Sequence, residues 1–117
     1  MEPLAAALIG HLIGDWVVQT DAQAAGKSSS WAANQRHMLG YHLTLGAVLA
    51  LSTLPLVWWL ATIAVSWVTH SFIDRRWPVA ALMRATGSAP FSRTSWGPMV
   101  VDQALHISIL LAMVSWA

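Results

Sequence analysis

The chain contains no cysteine. That excludes disulfides, thiolate metal sites and a cysteine nucleophile. Charge is scarce as well: six Lys and Arg and five Asp and Glu among 117 residues, or 9% charged side chains. A soluble domain carries roughly 25%. With a formal net charge of +1, bulk charge gives no case for a nucleic-acid surface. The N-terminal "MEPLAAALIG" lacks the basic leader of a signal peptide, so the first apolar segment is expected to stay in the mature protein.

What remains is apolar. Hydrophobic residues make up 56% of the chain, and the mean hydropathy is +0.55. Too few polar groups are present to cover a small soluble fold, which points to an integral membrane protein. Four apolar segments are long enough to cross a bilayer as helices, at about 3–19, 37–54, 56–74 and 98–116. Pro3, Pro55 and Pro98 stand at segment starts, where a missing N–H costs nothing. The expected fold is all-α: a single domain forming a four-helix transmembrane bundle, up-down-up-down. A tight "STLP" turn joins segments two and three. Long polar loops join one to two and three to four, the second with a short interfacial helix at "VAALMRA".

In that arrangement both long loops lie on one side. They hold every Lys and Arg: Lys27, Arg36, Arg75, Arg76, Arg84 and Arg93. The positive-inside rule makes that side cytoplasmic and both termini extracytoplasmic. Trp31, Trp77 and Trp96 fall at one interface, and Trp58, Trp59 and Trp116 at the other, as aromatic belts do.

The scarce polar residues are not scattered. "HLIGD" gives His11 and Asp15, "HSFID" gives His70 and Asp74, and "DQALH" gives Asp102 and His106. Each is an i,i+4 pair sharing one helical face. Random placement would give roughly a third of one such pair. His42 lies at the same depth, so every segment delivers polar groups to one level below the cytoplasmic surface. An uncompensated charge there costs at least several kcal/mol, and a divalent cation would satisfy the cluster. The candidate ligand set is His11, Asp15, His42, His70, Asp74, Asp102 and His106, serving one metal or two bridged by an aspartate. Nitrogen and oxygen donors without sulfur suit zinc first, with manganese, iron or nickel as alternatives. Any of Asp15, Asp74 or Asp102 left off the metal is a candidate catalytic base. Gln19 and Gln103 are candidate supporting donors, and Tyr41 a proton donor or belt residue. His37 reads as an interfacial histidine. Lys27, Arg75 and Arg76 stand near the site mouth, as topology signals or as contacts to an anionic head group.

These blocks, "GHLIGDWVVQTD" with the following Lys27, "GYHLTL", "HSFID" with a basic residue after it, and "VDQALH", resemble domain-of-unknown-function family 3307 of small bacterial and phage membrane proteins. The resemblance covers nearly the whole chain and implies an integral membrane protein with a His/Asp site. The third segment also resembles membrane-bound metal-dependent hydrolases. The leading functional expectation is therefore a metal-dependent hydrolase acting on a lipid-like substrate, with membrane lipids as partners, no nucleic acid, and homo-oligomers allowed by small-residue stripes. The alternatives are a small oligomeric ion, proton or metal transporter, and a non-enzymatic phage-type accessory protein.

Overall fold

The computed structural model describes residues 1–117, the side chain of Ala89 excepted. It is all-α, with no strand among the described residues. Helix α1 (Pro3–Leu12) runs into a π-helical turn at Ile13–Val17. Then come α2 (Asp21–Gly26), α3 (Trp31–Leu49), α4 (Leu56–Ile73), α5 (Trp77–Ala85), α6 (Ala89–Ser92) and α7 (Gly97–Ser115). Prolines open α1, α5, α6 and α7 at the first or second position, and Pro55 caps α4.

The four longer helical segments close a ring. Helix α1 packs on α3 and α7, and α4 packs on the same two. The N-terminus lies against the α3–α4 turn, where Met1 N donates to Leu51 O and Thr53 N to Met1 O. That end is filled by Ala6, Ala7, Leu45, Leu49, Leu110 and Val114. A second apolar cluster, Ile73, Val79 and Met83, fastens α5 beside α7. The polar residues are buried between these two clusters, toward the end that carries the long connections.

Three boundaries differ from the sequence expectation. The first segment does not continue as an α-helix to Gln19. At Ile13 the ladder widens, and Val18 N bonds to Ile13 O, five residues back. The first long connection is not an open loop. Thr20 and Gln23 form a reciprocal capping box that starts α2, and α3 begins at Trp31 on a Ser30 cap, six residues before His37. Two helices, Leu56–Ile73 and Gly97–Ser115, are long and apolar enough to cross a membrane; Pro3–Val17 is apolar but shorter. Helix α3 falls short because Asn34, Gln35, Arg36 and His37 occupy its first two turns. The "VAALMRA" helix is present as α5.

The approach of α1 to α3 depends on glycine. A Cβ on Gly14 would sit 2.9 Å from Tyr41 Cδ2 and 3.1 Å from the Tyr41 carbonyl oxygen, and one on Gly10 would sit 3.0 Å from Leu45 Cδ1. Backbone cannot yield as a flexible side chain does. Gly14→Ala is therefore expected to destabilise the protein by roughly 1–3 kcal/mol, the usual cost of overpacking. The check is the thermal unfolding midpoint in detergent; an unchanged midpoint would mean that α1 and α3 do not pack this closely.

Candidate metal centre

Four buried side chains from three elements converge. Asp15 comes from the π turn, His37 from α3, His70 from α4 and Asp74 from the end of α4. His37 Nε2 lies 3.0 Å from Asp15 Oδ1 and 3.4 Å from Asp74 Oδ2. His70 Nε2 lies 3.6 Å and 3.4 Å from the same two atoms. Yet His37 Nε2, both His70 ring nitrogens and Asp74 Oδ1 have no hydrogen-bond partner, and Asp74 Oδ2 has only an ion pair with Lys27. Three of the four pairs lie within 3.5 Å without meeting hydrogen-bond geometry, and the fourth, at 3.6 Å, is too long for a hydrogen bond. Buried polar groups are normally hydrogen-bonded, so this failure needs a cause. Donors that surround a common centre instead of facing each other supply one.

The spacing fits a cation. Ligands about 2.0–2.1 Å from a tetrahedral zinc lie about 3.3–3.4 Å from one another. The four nitrogen-to-oxygen edges here, 3.0, 3.4, 3.6 and 3.4 Å, scatter around that value. Two imidazoles and two carboxylates are also a suitable donor set.

One protein cation already reaches this place. Lys27 Nζ lies 3.4 Å from Asp15 Oδ1 and 3.0 Å from Asp74 Oδ2. Its backbone is held by Asn34 Nδ2 and Arg75, which both donate to Lys27 O. Arg75 also donates to Ser29 O and lies 4.5 Å over the Trp31 ring. Arg75 is thus a clamp on the loop and does not line the cavity beside the site. With neutral histidines the two carboxylates and one ammonium carry a formal charge of −1.

A second donor group shares Asp74. Asp74, Asp102 and His106 can bring one ligand atom each within 4.8 Å of one another. His106 Nε2 lies 3.8 Å from Asp74 Oδ1, and His106 Nδ1 lies 3.8 Å from Asp102 Oδ1. The His70 and His106 rings are 3.8 Å apart at their centroids.

Two histidines of the sequence-derived ligand set fall outside both groups, because their ring nitrogens are already engaged. His42 Nδ1 lies 2.8 Å from Met38 O, a pure acceptor, so it carries the proton; Nε2 then accepts from Ser66 Oγ at 3.1 Å. The ring also stacks on Trp67. His11 is fixed through Gln103. Trp16 Nε1, which can only donate, lies 3.1 Å from Gln103 Oε1 and identifies that atom as oxygen. His11 Nε2 therefore donates to the same oxygen at 3.0 Å, and Nδ1 accepts from the Tyr41 hydroxyl at 2.9 Å. Gln103 Nε2 is left to donate to Asp15 Oδ2 at 2.8 Å. Tyr41, His11 and Gln103 form a hydrogen-bonded chain that orients the Asp15 carboxylate, the outer support typical of metal ligands.

The sequence missed His37, which is 1% exposed and central to the first group. The available signal was its place five residues before His42 on one helix, which leaves only one of the two facing a given direction. Gln19 lines the cavity without a hydrogen bond at its Oε1.

A family model described as "Protein of unknown function (DUF3307)" matches residues 4–117, nearly the entire chain. The chain belongs to the DUF3307 family. No curated protein and no solved structure matches it. The matched residues include all four donors of the first group and all three of the second.

Proposed function

We propose that this DUF3307 member is a multi-pass membrane protein of one domain whose His/Asp cluster binds a divalent metal and hydrolyses a lipid-like substrate. The observation that carries the reading is the convergence of Asp15, His37, His70 and Asp74 at ligand spacing without mutual hydrogen bonds. Zinc suits the set best, with manganese, iron or nickel as alternatives.

The membrane reading extends from the two apolar helices to a transmembrane bundle of α1 with its π turn, α3, α4 and α7. Large apolar side chains face outward on each of them, among them Leu8, Ile9, Leu43, Leu60, Val68 and Val100, while histidines and aspartates are inside. That is the reverse of a soluble protein and suits lipid as solvent. All six Lys and Arg belong to the connections or helix ends near the site, which supports a cytoplasmic placement of the centre and extracytoplasmic termini.

A bound divalent cation supplies Lewis acidity and lowers the pKa of a water. Asp102 is the carboxylate outside the four-donor group; its side chain is 20% exposed, lines the cavity and has an Oδ1 free of hydrogen bonds. It is placed to take the proton of an attacking water while Gln103 holds Asp15. A transport path is less well supported, because the opposite end is plugged by the Ala6, Leu45, Leu49 and Leu110 cluster. One observation favours a metal-free cluster instead: the Lys27 ammonium reaches both carboxylates.

The test is elemental analysis of the full chain purified in detergent, with hydrolysis of a p-nitrophenyl ester and phosphate measured beside it. About one transition metal per chain is expected, lost together with hydrolysis in His37→Gln and retained in His42→Gln. Wild-type protein that stays metal-free after reloading would sink the proposal.

A further inference from the structure

The cavity in front of the donors has a volume of about 930 Å³ and joins two unlike walls. That volume lies in the range of small-ligand sites. Its buried floor carries Asp15 and Asp74, with Lys27 and Asp102 beside them. One wall is apolar: Val79, Ala80 and Met83 from α5, with Pro98 and Met99 from α7. The rim carries three exposed arginines, Arg76, Arg84 and Arg93.

These arginines come from three places: the α4–α5 junction, the last turn of α5, and the residue after α6. The fold brings them to one opening. The ion pairs among the described residues involve Lys27 and histidines, never these three guanidinium groups. Arg76 also holds a left-handed backbone, φ 66°, which glycine would adopt without strain. The other two cationic side chains, Arg36 and Arg75, do not line the cavity. Positive charge on a cytoplasmic face alone would not need this grouping.

We infer that the cavity binds a phosphate group borne by an amphiphile, its oxygens held by Arg76, Arg84 and Arg93 and its chain lying along the α5–α7 apolar wall. Guanidinium is the side chain best matched to phosphate, because its planar fork donates two parallel hydrogen bonds. As a substrate assignment this rests on the hydrolase reading above. For a phosphate monoester, the water oxygen bonds to phosphorus and the phosphorus–oxygen bond to the alcohol breaks. Asp102 takes the water proton and returns it to the leaving oxygen, so that an alcohol and inorganic phosphate result and the carboxylate is regenerated.

The experiment is calorimetric titration of the full chain in detergent with dihexanoyl phosphatidate, dihexanoyl phosphatidylcholine and inorganic phosphate. Metal content is measured on the same samples. Phosphatidate is expected to bind, and an Arg84→Ala/Arg93→Ala double variant to lose about 100-fold in affinity, roughly tenfold for each charge-assisted contact. Both residues are exposed, so the fold should tolerate the change, and Arg36→Ala controls for general positive charge. Weaker binding of inorganic phosphate marks the lipid as the source; equal binding keeps the arginine site and assigns it to a soluble phosphate. Unchanged phosphatidate affinity in the double variant, or equal affinity for phosphatidylcholine, overturns the inference. Such a failure with metal still bound leaves the metal reading standing. Arginine-dependent phosphatidate binding by a chain that takes up no metal has the opposite meaning.

Discussion

Asp74→Asn should remove more metal than any other single substitution. Asp74 alone belongs to both donor groups, through Oδ2 beside His37 and His70 and through Oδ1 beside His106. Loss of a supporting residue typically lowers metal affinity about 10–100-fold. Gln103→Leu, which frees the Asp15 carboxylate, is expected in that range, and Asp74→Asn beyond it, with hydrolysis falling in parallel. Asparagine keeps the side-chain shape, so the loss should not come from unfolding. The metal-free variant should be at least as stable as the metal-free wild type, because Lys27 would then face one buried carboxylate instead of two. Metal retained by Asp74→Asn at wild-type affinity would refute the shared-ligand geometry.

Lys27→Met separates a metal centre from a self-contained ion cluster. Lys27 is the only lysine in the chain, and its side chain is 12% exposed between two nearly inaccessible carboxylates. Removing one partner of a buried ion pair costs about 3–5 kcal/mol, since the remaining charge stays buried and uncompensated. The metal-free variant should lose stability on that scale. If the four donors are ligands, zinc should restore it, and the variant should bind zinc about tenfold or more tightly than wild type, because a competing charge within a few ångströms has gone. Unfolding midpoints with and without zinc, together with a competition titration, read both effects. A loss of stability that zinc does not repair would make Lys27 the resident cation of the cluster and end the metal reading.

Much of this protein is legible in its sequence, for a local reason. Helical periodicity places residues four apart on one face, so His70 with Asp74 and Asp102 with His106 stand out as pairs, and both meet near the centre. Prolines mark the helix starts, and the polar blocks carry the family resemblance that the match over residues 4–117 bears out. The structure gathers polar residues from all four apolar segments, with His37 in place of His42 from the second.

His11 and His42 fall outside the two donor groups for reasons beyond local periodicity. His37 and His42 are five residues apart, about 140° around an α-helix. Rotation of α3 about its own axis decides which one faces Asp15, and that rotation is set by the Gly10 and Gly14 contacts with Leu45 and Tyr41. His11 and Asp15 read as an i,i+4 pair, but the π turn starting at Ile13 breaks the regular spacing, and Gln103 bridges the two side chains.

The connections were least legible. Their fold depends on contacts across the chain: Asn34 and Arg75 holding the Lys27 backbone, and α5 packing beside α7 to bring Arg84 and Arg93 to the cavity. By itself the sequence determined an all-α, charge-poor chain with a His/Asp cluster, because composition and short-range spacing suffice for that. Only the tertiary structure decided which histidines face the centre, which cation reaches it and which arginines stand over it. Helix rotation and loop path are fixed by packing between residues far apart in sequence.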